Sequence, residues 1–123
     1  MTDVAAACPF CKRIAAGEYD REHTFGIWLA AVSFEPLNPV TPGHVLFVAP
    51  QHFPDAAASP KEASRVFQAA ACYVAERPRM HANLITSIGS AASQTVRHFH
   101  LHVVPRRLGD GLALPWGQVP PGD

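Results

Sequence analysis

Residues 98–104, HFHLHVV, decide how this chain folds. In a β-strand the side chains of residues i, i+2 and i+4 point to the same face of the sheet. The imidazoles at positions 98, 100 and 102 are therefore expected on one face, each about 7 Å along the strand from the next. The alternate side chains then point into a core; these are Phe99, Leu101 and Val103. Three imidazoles on one face favour chemistry on a metal ion or on a phosphate group.

The composition predicts a single globular domain spanning residues 1–123, with a core of about residues 8–106 and a Pro/Gly-rich tail over 107–123. The chain has 123 residues, 48% of them hydrophobic, and carries ten basic and ten acidic residues. Because these charges cancel, the basic surface that binds nucleic acid is not expected. No apolar run approaches the length of a membrane span, so no membrane partner is expected either. The N-terminal residues lack the features of a signal peptide.

The spacing of apolar residues and chain breakers predicts two helices, a short one over residues 8–18 and a long one over 59–77. Ser59 is expected as the N-cap of the long helix, with Glu62 completing a capping box. Short connections favour antiparallel pairing, so the fold class is predicted as α+β, with an antiparallel sheet of about five strands and the helices on one side. The clearest strands are expected over 24–34, 44–49, 81–88 and 96–104.

Three further positions are expected in ordinary structural roles. Trp28 is expected in the core, and Cys72 as a small, buried or half-buried residue of the long helix. The pair Arg106-Arg107 follows Pro105 and is expected as a solvated strand end.

The loop before the histidine run, residues 88–95 with the sequence IGSAASQT, consists mainly of small residues. Glycine, serine and alanine allow backbone N–H groups to approach an anion closely, and the hydroxyls of Ser93 and Thr95 add donors. Alone, this loop could be an ordinary turn, and alone the three histidines could bind one metal ion. Together, a donor-rich loop and a histidine strand favour a phosphate pocket.

Cys8 and Cys11 form a Cys-x-x-Cys pair, which is half of a zinc site. A complete tetrahedral site would need two histidines from elsewhere, and His52 and one member of the histidine run are the candidates. A redox pair or two ordinary thiols are the alternatives. The strand that precedes a redox motif is missing here, because Cys8 lies close to the N-terminus. An odd number of cysteines, three, does not suit a disulfide framework and favours a reducing compartment, the cytoplasm.

These motifs together resemble the histidine-triad (HIT) hydrolases, in the branch that carries a zinc-binding Cys-x-x-Cys. The resemblance covers residues 8–106. It rests most firmly on the histidine run and the Gln-Thr-Val before it, with support from CPFCK at 8–12, NPVTPGHVL at 38–46 and PQH at 50–52. It implies a HIT-like homodimer that binds a nucleotide, with a purine nucleoside monophosphate as the bound part.

The resemblance also implies a role for each matching residue. His100 would attack the phosphorus, giving a covalent nucleotidyl-histidine that water hydrolyses. The leaving group would be an amine, as in a phosphoramidate, or a nucleotide, as in a dinucleoside polyphosphate. Zinc, as a structural cofactor, would be held by Cys8, Cys11, His52 and His98. The phosphate and nucleotide would be bound by His102, Thr95, the Ser93-Gln94 backbone, His44 and Ser87.

Two positions depart from the family pattern. Ser87 replaces an amide residue near the junction of phosphate and sugar, and Pro36 replaces the residue that meets the ribose hydroxyls, where Glu35 or Asn38 could substitute. Two alternative functions stay open on the same fold: a nucleotide-binding module without catalysis, and a hydrolase in which the three histidines of the run hold a catalytic zinc.

Overall fold

The computed structural model describes residues 7–118 of the chain, with side chains described as far as residue 116. Among these residues, no helix is both long and apolar enough to cross a membrane. The elements follow one another in this order: α1 (Pro9–Ala15), β1 (Arg21–Phe25), β2 (Trp28–Phe34), β3 (Val45–Val48), α2 (Pro60–Ala75), β4 (His81–Ile85), a 3₁₀ turn (Ser90–Ala92), β5 (His100–Arg106), β6 (Ala113–Leu114) and β7 (Gly117–Gln118).

Five strands form one antiparallel sheet in the order β1-β2-β3-β5-β4, which confirms the predicted α+β class. The histidine strand β5 lies between β3 and β4. His102 is paired with Leu46 on one side and with Ile85 on the other. Because paired residues share a face, His102, Leu46 and Ile85 all point to the same side of the sheet.

Each face of the sheet is covered by one helix. On one face Val66 and Ala70 of α2 pack with Phe47 and with the predicted core residues of the histidine run, Phe99, Leu101 and Val103. On the other face Phe10 of α1 packs with Val32, Phe34, Leu46 and Val48. The expectation that both helices lie on one side is therefore wrong. Its physical reason is that β2 and β3 are apolar on both faces, so that both faces need cover.

The helix α2 begins where the sequence predicts, but without its predicted cap. Ser59 occupies the N-cap position and Pro60 the first turn, yet the Ser59 side chain makes no capping hydrogen bond. Cys72 and Phe67 (51%) on this helix are exposed, and so is Trp28 (61%) on β2. The core position expected for Trp28 and the buried or half-buried position expected for Cys72 are therefore wrong. Trp28 is the first residue of β2 and pairs with Phe25 at the tip of the β1–β2 hairpin.

The segment after β5 is held in place by a buried ion pair. Arg106 donates from Nε to Asp110 at 3.0 Å, and the two side chains are only 8% and 10% exposed. Arg106 also donates to the side chain of Asn83 and to the carbonyl of Leu112. The expectation of a solvated arginine pair is therefore wrong for Arg106, because an acid four residues later and the neighbouring strand bury its guanidinium.

Candidate active site and metal centre

The histidine run is divided between a strand and the bend before it. β5 begins at His100, so His100 and His102 share a face, whereas His98 lies in the bend. The strand predicted over 96–104 therefore begins only at His100, but the His98 ring stays on the same side of the sheet, where Phe10 contacts both rings with centroids 5.8 Å (His98) and 5.1 Å (His100) apart. The bend arises because the segment after β3 takes the backbone hydrogen bonds of Phe99, whose N–H donates to Phe53 at 2.7 Å and whose carbonyl accepts from Ala49 at 3.1 Å.

The His100 ring is held in one tautomer by the backbone. Its Nδ1 lies 2.8 Å from the carbonyl oxygen of His98. A carbonyl only accepts, so Nδ1 carries the proton and Nε2 keeps its lone pair. Burial lowers the pKa of His100, which keeps the ring neutral near pH 7. Thr86 donates its hydroxyl to the His100 carbonyl at 2.7 Å, and Phe10 contacts the ring edge-on with centroids 5.1 Å apart.

His44 fixes the His102 ring through a chain of hydrogen bonds. The Val40 N–H donates to Nδ1 of His44 at 3.1 Å, so the neutral His44 carries its proton on Nε2. That Nε2 lies 2.9 Å from Nδ1 of His102 and donates to it, which leaves the proton of His102 on Nε2. Burial, with smaller contributions from His100 and His44, lowers the pKa of His102 to about 4. His102 is therefore a neutral N–H donor.

A cavity of about 530 Å³ opens beside these two rings. Its wall contains His100, His102 and most of the predicted nucleotide-binding residues, namely Ser87, Ser93, Gln94 and Thr95. Pro36 and Asn38 also line it, whereas His44 lies behind His102 and lines a second cavity of about 390 Å³. The two cavities share Ser87, Ser93 and His102. The site residues predicted for the nucleotide thus meet in two adjoining spaces.

The loop over residues 89–95 is held together by Gln94, which is only 6% exposed. Its side-chain oxygen accepts from the Gly89 N–H at 2.9 Å, and its side-chain nitrogen donates to the carbonyls of Pro54 (2.6 Å) and Val96 (3.1 Å). The backbone N–H of Gln94 donates to Gly89 and that of Ser93 to the Ser90 carbonyl. Both N–H groups therefore have acceptors within the turn itself, and their expected contact with phosphate stays a prediction.

The metal ligands expected from the resemblance meet in one cluster. One ligand atom from each of Cys8, Cys11, His52 and His98 lies within 4.8 Å of every other. Nδ1 of His98 lies 3.4 Å from the Cys8 sulfur and 3.5 Å from the Cys11 sulfur. Nδ1 of His52 lies 3.3 Å from the Cys11 sulfur and 3.2 Å from Nδ1 of His98.

These distances match the edges of a zinc tetrahedron. Bonds of about 2.3 Å to sulfur and 2.0–2.1 Å to nitrogen place two nitrogens about 3.3 Å apart, and a nitrogen and a sulfur about 3.6 Å apart. Nε2 of His98 donates to the Ala49 carbonyl at 2.7 Å, so Nδ1 of that ring offers a lone pair to the centre of the cluster. Burial and the neighbouring Cys8 raise the pKa of Cys11 to about 11, whereas a bound cation stabilises the thiolate. The cluster suits zinc.

The geometry separates the metal centre from the rings of His100 and His102. The three histidines of the run do not converge on one point, because Nδ1 of His98 faces the two cysteine sulfurs and its Nε2 faces the Ala49 carbonyl. Over residues 7–118 the cysteine–histidine cluster is the one group of three or more suitable ligands. The alternative of a catalytic zinc held by three histidines of the run is therefore contradicted.

Sequence reasoning missed three residues of the cavity wall: Phe10, Arg13 and Phe34. Phe10 lies between the two cysteines, and Arg13 follows two residues after the second. An aromatic residue inside a metal-binding turn next to a predicted pocket was the available signal for Phe10. No comparable signal distinguished Arg13 from a solvated residue of a short helix.

Comparison with known proteins gives a consistent result. The HIT domain family matches residues 29–109. An uncharacterized HIT-like protein of Mycobacterium tuberculosis is 34% identical over 119 residues, which cover 91% of this chain and 80% of that protein. A Zn-bound histidine triad family protein from Mycobacterium smegmatis superposes with a TM-score of 0.70 at 30% identity, covering 89% of this chain and 82% of that one.

A HIT family hydrolase from Clostridium thermocellum superposes with a TM-score of 0.63 at 27% identity, over 82% of this chain and 91% of that one. The family match covers more than half of the sequence, and these solved structures share the fold. This chain belongs to the HIT, or histidine-triad, family.

Proposed function

We propose that this protein hydrolyses a nucleoside monophosphate linked to a leaving group, either an amine in a phosphoramidate or a nucleotide in a dinucleoside polyphosphate. The observation that carries the proposal is the tautomer of His100. Its Nδ1–H is bonded to the His98 carbonyl, so the lone pair of Nε2 is free to attack, and the ring lines the large cavity. A HIT family hydrolase among the related structures supports a hydrolase reaction.

The proposed reaction has two displacements at phosphorus. Nε2 of His100 forms a bond to phosphorus while the bond to the leaving group breaks, which gives a covalent nucleotidyl-histidine. Water then attacks the same phosphorus, releases the nucleoside monophosphate and restores the neutral His100. The N–H of His102 and the hydroxyl of Thr95 donate to the phosphate oxygens, where negative charge concentrates in each transition state. We propose that the leaving group occupies the adjoining cavity beside His44.

In this proposal zinc is structural, and its ligands Cys8, Cys11, His52 and His98 surround it completely. The metal fixes the His98 ring, and the carbonyl of the same residue orients His100. The N–H groups of Ser93 and Gln94 hold the loop, so the phosphate depends on side-chain donors and on His102.

We further propose a homodimer in the cytoplasm. Within the described part of the chain, β4 forms one edge of the sheet, and two such edges can pair about a two-fold axis. The three cysteines are free thiols, as a reducing compartment keeps them. The mass of the protein in solution, measured by light scattering, tests the dimer.

The test of the activity is the His100→Ala variant, assayed with adenosine and guanosine phosphoramidates and with dinucleoside polyphosphates. We expect release of nucleoside monophosphate by the parent protein and none by the variant, while the circular dichroism spectrum stays unchanged. His81→Ala, at an exposed histidine on the first residue of β4, is the matched control. Turnover by His100→Ala at the parent rate contradicts the proposal. Nucleotide binding by the parent without any release favours a binding module instead.

A further inference from the structure

We propose that Arg13 recognises the base of the bound nucleotide and that the cavity prefers guanine to adenine. This inference rests on the proposed nucleotide site and adds to it the residue that selects the base. Two observations support the inference: the Arg13 guanidinium lies in the cavity wall, and it forms no ion pair with an acidic residue among residues 7–118.

Arg13 is held in place by two contacts. Its guanidinium carbon lies 3.8 Å from the centre of the Phe34 ring, a distance typical of a cation–π contact. Its Nε donates to the Glu18 carbonyl at 3.0 Å. The contact with Phe34 and the Nε hydrogen bond together hold the guanidinium in position. The Nη1 and Nη2 groups make no hydrogen bond or ion pair with another residue in the described range 7–118.

A continuous wall connects Arg13 to the nucleophile. Phe10 contacts His100 with ring centroids 5.1 Å apart and Phe34 with centroids 5.5 Å apart. The Arg13 guanidinium in turn packs on Phe34. Arg13 follows Phe10 by three residues on α1, so it lies about one helical turn further along the same face. A phosphate bound at His100 therefore leaves the aromatic wall and Arg13 for the more distant parts of the nucleotide.

The rest of this wall is uncharged. The residues around Arg13 in the cavity include Phe10, Phe34, Pro36 and Leu37, and no carboxylate lines the cavity. An aromatic and apolar surface suits the flat face of a base. The paired N–H groups of one guanidinium would then meet the edge of that base.

Guanine and adenine differ at the edge that an arginine recognises. Guanine presents two acceptors there, O6 and N7, which match two N–H donors of a guanidinium. Adenine presents the acceptor N7 beside the donor N6 amino group, and a donor that faces a donor gains no hydrogen bond. A bidentate arginine contact therefore binds guanine and discriminates against adenine.

The experiment measures the affinities of nucleoside monophosphates by calorimetry with the full-length, zinc-loaded protein. We expect GMP and IMP, which share O6 and N7, to bind about tenfold tighter than AMP. The monophosphate of 7-deazaguanosine lacks N7 and should lose part of this preference. Equal affinities for GMP and AMP overturn the inference while the proposed function stands. If no monophosphate binds at millimolar concentration, the proposed nucleotide site itself fails.

Two substitutions test Arg13 directly. Arg13→Met keeps a stem that can pack on Phe34 but removes the donors, so the ratio of GMP to AMP affinity should fall to about one. Arg13→Gln supplies one donor and one acceptor, which match adenine, and should turn the preference towards AMP. Lys61→Met removes the same charge at the exposed start of α2 and should keep the parent ratio. A guanine preference that survives in Arg13→Met, or an equal loss for both nucleotides, overturns the inference.

Discussion

The carbonyl oxygen of His98 accepts a hydrogen bond from Nδ1 of His100 at 2.8 Å. The ring of His98 belongs to the metal cluster, and its backbone orients the ring of the proposed nucleophile. One residue thus links the two centres: its side chain binds the metal, and its carbonyl selects the tautomer that leaves Nε2 of His100 free. Disturbing the metal is therefore expected to affect catalysis through the position of His100 and not through the chemistry itself.

The first prediction concerns removal of a metal ligand. Cys11→Ser should destabilise the protein by about 2–5 kcal/mol, because the loss of a structural metal opens α1 and the bend at His98. That loss corresponds to a decrease in Tm of roughly 10–20 °C in a domain of this size. Differential scanning calorimetry of zinc-loaded protein measures the decrease, and zinc analysis of the same samples measures the metal.

Cys72→Ser provides the control, since Cys72 is an exposed free thiol on α2. Its Tm and zinc content should equal those of the parent. An immediate and complete loss of turnover on chelation, before any change in near-ultraviolet circular dichroism, would show that zinc takes part in the chemistry and would contradict the structural role.

The sheet and the core of the histidine run could be predicted because alternation of apolar residues is a local signal. Phe99, Leu101 and Val103 are at most 2% exposed, as their spacing predicts. The start of the strand at His100 could not be predicted, because the same alternation continues through His98. What ends the strand is a contact with the segment around Phe53, forty-six residues earlier in the chain. Such long-range competition leaves no trace in the local pattern.

The burial of Arg106 also depends on contacts between distant parts of the chain. Two consecutive arginines after a proline are typical of a solvated end, and only the fold brings Asn83 beside Arg106. The resemblance, by contrast, supplied the metal ligands, which come from three separate parts of the chain, the segment 8–11, His52 and His98. It did not supply Arg13, because this residue lies outside the motifs on which the resemblance rests.

The second prediction concerns the backbone of the loop beside the cavity. Ser93 has φ +75°, and it is the one residue other than glycine with a positive φ in the described range 7–118. An L-residue in this left-handed region is strained by about 1–2 kcal/mol. Glycine removes this strain, but part of the gain is offset because glycine loses more conformational freedom on folding. Ser93→Gly should therefore stabilise the protein by about 0.5–1 kcal/mol in urea unfolding.

Ser93→Ala is the matched control for that variant. It removes the hydroxyl but keeps the Cβ atom and its strain, so its stability should stay close to that of the parent. A Ser93→Gly variant no more stable than Ser93→Ala would contradict the strain at this position, whereas an equal loss of stability in both variants would show that the hydroxyl governs it.

The third prediction concerns the ion pair between Arg106 and Asp110. Arg106 above all, with the N–H groups of Arg107 and Leu112, holds the pKa of Asp110 well below its ordinary value of 3.8. A depressed carboxyl pKa gives stability that is present above the ordinary value and is lost as the pH falls below it. Asp110→Asn removes the charge at neutral pH and should speed amide hydrogen exchange over residues 107–118.

Asp20→Asn, at an exposed acid before β1, is the control and should leave exchange in that segment unchanged. Parent-like exchange in Asp110→Asn would mean that the hairpin of β6 and β7 is held by other contacts. Acidification of the parent below about pH 3.8 should progressively loosen the same segment, because the Asp110 carboxyl takes up a proton more readily when the segment is open than when it is paired with Arg106.

The fourth prediction follows from the hydrogen bond between His44 and His102. Burial, followed by the nearby His100 and His44, lowers the pKa of His102 to about 4, against about 6.5 for a histidine in an unfolded chain. The ring should therefore stay neutral from pH 8 to about 5, and its ¹⁵N resonances should titrate with a midpoint near 4. Because the folded pKa is depressed, the stability linked to this ring is complete above about 6.5 and decreases as the pH falls towards 4.

His44→Gln tests which part of this shift comes from the neighbouring ring. Glutamine keeps a polar side chain next to His102 but cannot acquire a positive charge, so the His102 midpoint should move upwards while remaining below 6.5. The remaining depression of the pKa then comes from burial, the largest cause, together with the nearby His100. A His102 midpoint near 6.5 in the parent would contradict the buried, neutral donor on which its proposed contact with phosphate depends, since the ring would then lie in a well-solvated position.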